Sequence, residues 1–242
     1  MNSINADLHC HSIVSDGTLT PEDLAQRAHA NGVQIWSLTD HDELGGQDRA
    51  AQAAKNLGVS YIPGVEISVS WVGHTVHIVG LGIDHHNQTL FQGLKKTRDG
   101  RANRAQEIAA GLAKAGIHGA YEGALQFVSN MELISRTHFA RFLVEAGVCK
   151  DTDEVFANYL VDGKPGYVPH VWATLDEAVT WITQAGGSHH PDEYQIFAKV
   201  AMQYGFLASR GSDFHDPHES GVDLGMLPPL PSQLRPVWSV FQ

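Results

Sequence analysis

Cysteine is scarce in this sequence. Two residues, Cys10 and Cys149, in a chain of 242 cannot build a disulfide framework, and a reduced, cytoplasmic setting is the expectation. Long apolar runs are missing as well. No stretch approaches the roughly 18–20 residues of a membrane span, so no membrane partner is expected. Residues 1–7 show neither a basic n-region nor an apolar h-region, and no signal peptide is read there. Basic residues are few: 16 Lys and Arg against 27 Asp and Glu give a formal net charge of −11. That balance excludes a broad electrostatic grip on duplex DNA, which needs many cations facing phosphates, and leaves room only for a local basic pocket. With 43% hydrophobic and 18% charged residues, the composition is that of a globular chain. Its length suits one large domain or two small ones with a core that needs no staples. Nothing in it fixes an oligomeric state.

Histidine is plentiful, at 15 of 242 residues. It is the commonest metal-binding side chain and titrates near neutrality. His29, His85, His86 and His118 read as surface scatter, a reading that does not explain the clusters below.

The first third alternates short apolar runs with helical stretches. Thr20-Pro21-Glu22-Asp23 reads as a helix start, with Thr20 as cap, Pro21 in the first turn and Asp23 closing a box. Asn31-Gly32 stops that helix. Val33–Thr39 reads as a buried strand and Arg49–Leu57 as a helix ending at Gly58. Strands follow at 59–62, 64–69 and 75–80. This alternation predicts α/β architecture with a largely parallel sheet or barrel. The middle turns helical: Ile108, Ala109, Leu112 and Ala113 share one face, and further helices are expected at 138–146 and 152–160. The expected division is 1–88 as the first part of the α/β frame, 89–163 as a helical insertion and 164–242 as the second part. A helix from Thr174 with Glu177 at capping-box spacing, a helix at 195–204 and a strand at 206–209 complete the pattern.

Polar clusters sit where strands end. In Asp7-Leu8-His9-Cys10-His11, residues two apart share a face, so His9 and His11 can meet one ion while Leu8 and Cys10 pack behind. Cys10 is a ligand by type, but its alternation favours core packing. Asp16 follows in a turn, Asp40-His41-Asp42 follows the second apolar run, and Asp213-Phe214-His215 follows the last. Glu66 and His77 lie inside apolar runs. An ionised carboxylate such as Glu66 is rarely buried without a partner or metal. Barrel active sites collect such residues at the carboxyl ends of strands. Imidazoles and carboxylates without thiolates suit Mn, Fe or Zn.

Asp7-Leu8-His9-Cys10-His11, Ser15-Asp16-Gly17, Thr39-Asp40-His41-Asp42, Gly64-Val65-Glu66-Ile67-Ser68, His77-Ile78-Val79-Gly80-Leu81 and Gly211-Ser212-Asp213-Phe214-His215 together resemble the polymerase and histidinol phosphatase (PHP) family of metal-dependent phosphoesterases, over nearly the whole chain. Arg101-Ala102-Asn103-Arg104-Ala105, Ser135-Arg136-Thr137-His138-Phe139-Ala140-Arg141 and Lys164-Pro165-Gly166-Tyr167-Val168 resemble the bacterial subgroup that dephosphorylates nucleoside 3′,5′-bisphosphates and trims short RNAs from the 5′ end. The resemblance implies a distorted seven-stranded β/α barrel with two or three divalent ions, Mn2+ foremost. It implies one ion on His9, His11, Glu66 and Asp213, a second sharing Glu66 and adding His77, and a third on Asp16, His41 and His215. Asp40 and Asp42 would orient ligands, and His74 yields to His77. Catalytic roles fall on Asp16, His41, Glu66 and His215. Arg104, Arg136 and His138 would hold a substrate phosphate, with Lys164, Tyr167 and Arg210 near it and Arg141 structural.

The chain departs from the family pattern after Gly186-Gly187, where a strand–helix–strand block opening on Ala-His-Pro is expected. Here Ser188-His189-His190-Pro191-Asp192-Glu193-Tyr194 follows directly. Either His190-Pro191 is the remnant of that ligand motif, or Ser188-His189 aligns beyond the block and the second ion lacks a ligand. The barrel would then be open. The expected chemistry is hydrolysis of a terminal phosphate of a nucleoside 3′,5′-bisphosphate or of short 5′-phosphorylated RNA by metal-activated hydroxide. The alternatives are a histidinol-phosphate-type phosphatase and an impaired module that binds nucleotide without turnover.

Overall fold

A computed structural model describes residues 4–71, 74–128, 130–169, 172–184, 188–190 and 207–241. For residues 74, 183, 184 and 188–190 only the backbone is described. The chain divides into two compact units, one of residues 1–94 with 173–242 and one of residues 95–172.

In the first unit, helix α1 (Pro21–Ala30) begins as its sequence dictates: Thr20 Oγ1 accepts the Asp23 backbone N–H at 3.1 Å, and Pro21 fills the first turn. Helix α2 (Gln47–Leu57) ends on Gly58 at φ 72°, the left-handed position that glycine takes without strain. Both pack on a parallel sheet in the order β1 (Ala6–Asp7), β2 (Ile35–Trp36), β3 (Ser60–Tyr61). Leu24, Ala25, Ala28, Ala50 and Ala54 meet Cys10, Trp36, Leu38 and Phe214 in this core. Pairing continues past the short strands. Leu8 N–H donates to Arg210 O and His11 N–H to Phe214 O, so residues 210–214 run beside residues 8–11, just past β1. At the other edge His41 bridges to Glu66.

The second sheet has the order β6 (Ala173–Thr174), β4 (Gly64–Trp71), β5 (His74–Leu81), β7 (Ser188–His190). Its mixed direction corrects the largely parallel expectation. β4 and β5 pair antiparallel along their whole length, Gly64 opposite Leu81 through Trp71 opposite His74. Two intervening residues permit a hairpin; a parallel crossover takes a dozen or more. No closed barrel is found among the described residues. Helix α3 (Gln88–Asp99) and helix α8 (Leu175–Gln184) cover the sheet through Leu90, Leu94, Trp181 and Ile182. The capping box predicted for α8 forms, with Glu177 N–H donating to Thr174 Oγ1 and Thr174 N–H to Glu177 Oε2. The helix read at 195–204 lies outside the described residues. Of the strand read at 206–209, residues 207–209 are described, and they form a single bridge, between Ala208 and Pro236.

The second unit is helical: α4 (Arg101–Lys114), α5 (Ala120–Leu125), α6 (Arg136–Glu145) and α7 (Thr152–Val155), the last continuing as a π-turn to Leu160. Ile108, Leu112, Phe139, Leu143, Val155 and Leu160 form its core.

Candidate metal centre

The strand alternation read at the N-terminus holds. Leu8 and Cys10 enter separate parts of the core. Cys10 Sγ accepts from Trp36 Nε1 at 3.2 Å and donates to Ser37 O, and burial lifts its thiol pKa well above the usual value. Cys10 is therefore a core residue. His9 and His11 face the opposite way, onto Glu66 of β4 and Asp213. Both Nε2 atoms lie close to Glu66 Oε2, at 3.1 and 3.0 Å, and to Asp213 Oδ1, at 3.3 and 3.2 Å. The two Nε2 atoms are 3.1 Å apart.

Glu66 is the shared group. His41 Nδ1 is 3.2 Å from Oε2, and His77 Nδ1 is 3.1 Å from Oε1. Asp16 Oδ1 lies 3.4 Å from His215 Nε2 and 3.9 Å from His41 Nε2. Three overlapping sets result: His9, His11, Glu66 and Asp213; His41, Glu66 and His77; and His11, Asp16, His41 and His215. All eight expected ligands fall within these sets. His41 links two of them, a sharing that the sequence did not suggest.

The donor geometry fits bound cations. Metal–nitrogen and metal–oxygen bonds of about 2.0–2.2 Å put neighbouring ligand atoms about 2.8–3.6 Å apart, the shorter values at right angles and the longer at the tetrahedral angle. The spacing of the first set matches. Hydrogen bonds account for only part of it: His11 Nε2 pairs with His9 Nε2 and Asp213 Oδ1, but Glu66 Oε2 is buried with no aligned hydrogen-bond partner despite its short contacts. The charge distribution also prepares the site. Burial pushes the Glu66 carboxyl up, but His9, His41 and His77 outweigh it and hold the group well below the usual carboxylate range. Asp16 is held low against burial by His41 and His215. Asp213 is lowered by its hydrogen bond from His11 and by His9, again against burial. His41 goes the other way: burial takes it down to about 3 against Glu66 and Asp16, so its ring is neutral and ready to donate a lone pair.

The loops around these ligands are fixed by buried carboxylates. Asp40 accepts the Ser12 N–H at 2.7 Å and the hydroxyls of Ser15 and Ser12 at 2.7 and 2.8 Å. It thus holds the turn that leads to Asp16, and not a histidine ring. Asp42 Oδ1 accepts the Ser68 N–H at 2.9 Å, next to Glu66 on β4. Asp7, to which the sequence reading gave no role, accepts Ser212 N–H at 2.9 Å and Gly225 N–H at 2.6 Å, anchoring the segment before Asp213. Its place two residues before His9, on the same strand face, was the available signal. Asp42 and Asp213 have positive φ, 50° and 52°, a conformation that aspartate tolerates better than most residues and that clusters at functional sites.

Arg210 is buried, but its guanidinium donates to Asn5 Oδ1 and Leu227 O, so the expected approach to the site is not seen. The side chains of His74 and His190 lie outside the described residues; the β7 backbone pairs position 190 with Val79. Arg104, Arg136 and His138 belong to the helical unit. Arg104 Nε donates to Val168 O and stacks over Trp172, beside Arg101. Arg136 donates to Leu160 O. Burial, reinforced by Arg136 and Arg101, lowers the Arg104 pKa to about 10. His138 is buried, and its Nδ1 accepts the Ser135 N–H in a capping box at the start of α6.

A metal-ligand set of this kind defines a class, and comparison with known proteins supplies it: the chain belongs to the PHP-domain family, whose model matches residues 7–109. It is 45% identical to the 3′,5′-nucleoside bisphosphate phosphatase of Chromobacterium violaceum, over 97% of this chain and 95% of that protein. It is 37% identical to the 5′-3′ exoribonuclease Rnm of Escherichia coli, over 98% and 93%. A solved structure of an amidohydrolase from Chromobacterium violaceum, with bound sulfate and no metal, superposes with a TM-score of 0.92 at 44% identity, over 98% and 95% of the two chains. A structure from Bifidobacterium adolescentis, 23% identical with a TM-score of 0.79 over 98% and 94%, shares the fold.

Proposed function

We propose that the chain is a metal-dependent phosphoesterase that removes a terminal phosphate from nucleoside 3′,5′-bisphosphates and acts on short 5′-phosphorylated RNA. The observation that carries this is the convergence of eight imidazole and carboxylate ligands on one centre, buried at His11 and Glu66 and open to solvent at His77 and Asp213, with Glu66 shared between sets. The names of the phosphatase and exoribonuclease relatives support the substrate class. Two or three divalent ions, Mn2+ foremost, would be held by His9, His11, Glu66 and Asp213, by His41, Glu66 and His77, and by His11, Asp16, His41 and His215. Bound there, they supply hydroxide near neutral pH and offset charge on the phosphoryl oxygens.

The chain's own groups do the remaining work. Asp7, Asp40 and Asp42 hold the ligand loops in place. Arg104 and Arg136, with Arg101 beside them, give the helical unit a concentration of guanidinium groups matched to phosphate oxygens. His138 caps the helix that begins with Arg136 and so positions that residue. The two sheets are parts of the family's seven-stranded barrel. The alignment with the phosphatase relative runs over 271 positions, more than the 242 residues of this chain, in keeping with a block missing after Gly187. That shortening favours keeping a second reading, a centre that binds nucleotide without turnover.

A Mn2+-supplemented assay of phosphate release on adenosine 3′,5′-bisphosphate, histidinol phosphate and a 5′-phosphorylated oligonucleotide tests both. Release from the bisphosphate, with none from histidinol phosphate, is expected. Binding of the bisphosphate without release selects the second reading.

A further inference from the structure

The sequence reading assigns His85 and His86 to surface scatter. The structure instead gathers them with Asp48, in a cluster that shares no residue with the main centre. His85 Nε2 is 2.9 Å from Asp48 Oδ1, and His86 Nε2 is 3.8 Å from the same oxygen. The two rings lie 4.2 Å apart at 43°.

Local structure holds the three in place. The histidines sit in a turn in which Asn87 N–H donates to Asp84 O and His86 N–H to Asp84 Oδ1. The turn is continuous with α3, whose first N–H groups Asn87 Oδ1 accepts. On its other side Gly82 N–H bonds to Pro63 O. Asp48 lies in the first turn of α2, where Gln47 fastens the helix to Leu38 O and Gly64 O. The neighbouring cation does not compete for Asp48, because Arg49 is paired in a fork with Glu22 at 2.6–2.8 Å.

We propose that Asp48, His85 and His86 form a separate surface site for a late first-row divalent cation of the Zn2+ class. Two imidazoles with one carboxylate favour such an ion over Mg2+ or Ca2+, which require oxygen ligands. The side chains of Asp48 and His86 are 76% and 71% exposed, which leaves water to complete the coordination. His85, at 17%, is the better fixed ligand. A cation here ties the start of α2, which follows the loop of His41 and Asp42, to the turn after the strand of His77. The site rests on its own residues and does not depend on the phosphoesterase reading.

The test is metal counting. Chelator-treated full-length chain is dialysed against micromolar Zn2+ with millimolar Mg2+, and bound zinc is measured by elemental analysis. His86→Ala, His85→Ala and Asp48→Asn should each bind one equivalent less than the parent, with unchanged circular dichroism. Glu66→Gln, which damages the main centre, should keep the equivalent that His86→Ala removes. Equal zinc content in the parent and His86→Ala reduces the cluster to a hydrogen-bonded ion pair and overturns the proposal. So does loss of that same equivalent in Glu66→Gln.

Discussion

Replacing Asp40 tests whether the centre depends on residues that touch no ion. Its carboxylate is fully buried and accepts three hydrogen bonds, from Ser12 N, Ser12 Oγ and Ser15 Oγ, all at 2.7–2.8 Å. In Asp40→Ala the Ser12 N–H is left buried without an acceptor, and both hydroxyls lose a charged partner. Bonds to charged groups contribute about 1.5–3 kcal/mol each, and an orphaned donor costs about 1–3 kcal/mol. Relief from burying a carboxylate offsets part of this, so a net loss of about 3–5 kcal/mol is expected. At roughly 2–4 °C per kcal/mol for a chain of this size, the melting temperature should fall by about 6–20 °C. Asp40→Asn keeps one oxygen for Ser12 N–H and Ser15 Oγ. Ser12 Oγ, which already accepts Val14 N–H, can also accept from the new amide. Below pH 3.8 that variant should lose only about 1 kcal/mol, and less at neutral pH.

Both losses are read by thermal and urea unfolding of metal-free protein. The turn leads to Asp16, so metal affinity should also drop about 10–100-fold in the alanine variant, as for other groups that orient ligands. pH supplies an independent check. Burial raises the Asp40 pKa above 3.8 against its bonds from Ser15 and Ser12. The folded state therefore holds the proton more tightly than the unfolded chain. The parent's margin over Asp40→Asn is full below pH 3.8 and is lost as pH rises through the folded value. An alanine variant that melts within 2 °C of the parent (about the smallest shift worth 1 kcal/mol), or a margin over Asn that grows with pH, refutes the reasoning.

Other expectations concern the ligands and their supports. Asp16→Ala and His41→Ala should each lower turnover by about two orders of magnitude or more, with circular dichroism unchanged; unaltered rates in both would remove that set from the mechanism. Gly211→Ala would put a Cβ 2.2 Å from His9 Cβ and 2.8 Å from His9 N; displaced from Glu66, His9 should fail as a ligand, and bound Mn2+ per chain should fall, which elemental analysis can show. Arg104→Ala should raise KM for the bisphosphate about 10–100-fold, the worth of a charged hydrogen bond, and lower kcat much less; steady-state kinetics showing only a kcat defect would place Arg104 elsewhere in the reaction.

Local rules carried well in this chain. The Thr20 and Thr174 caps, the stops at Gly32 and Gly58, and the facing of His9 and His11 away from Cys10 are all decided within a few residues. The sequence reading missed what depends on partners far along the chain. Nothing near His41 indicates that its two nitrogens face Glu66 and Asp16. Asp40 reads as a ligand-orienting group, but its partners Ser12 and Ser15, 28 and 25 residues away, are visible only in the fold. His85 and His86 look scattered because Asp48 is 37 residues from His85. The hairpin of β4 and β5 was legible from the short gap between two apolar runs, but the surrounding alternation of strands and helices suggested parallel pairing.

The pairing of residues 210–214 with residues 8–11 bears on how the protein is made. Asp213 and His215 complete ligand sets begun by His9, His11 and Asp16, some two hundred residues earlier in synthesis. At about 5–20 residues per second, a ribosome spends ten seconds or more between delivering the two ends. Throughout that interval the nascent chain exposes half-built chelating groups, and the two sets that contain Asp213 or His215 can be filled only after translation has passed those residues.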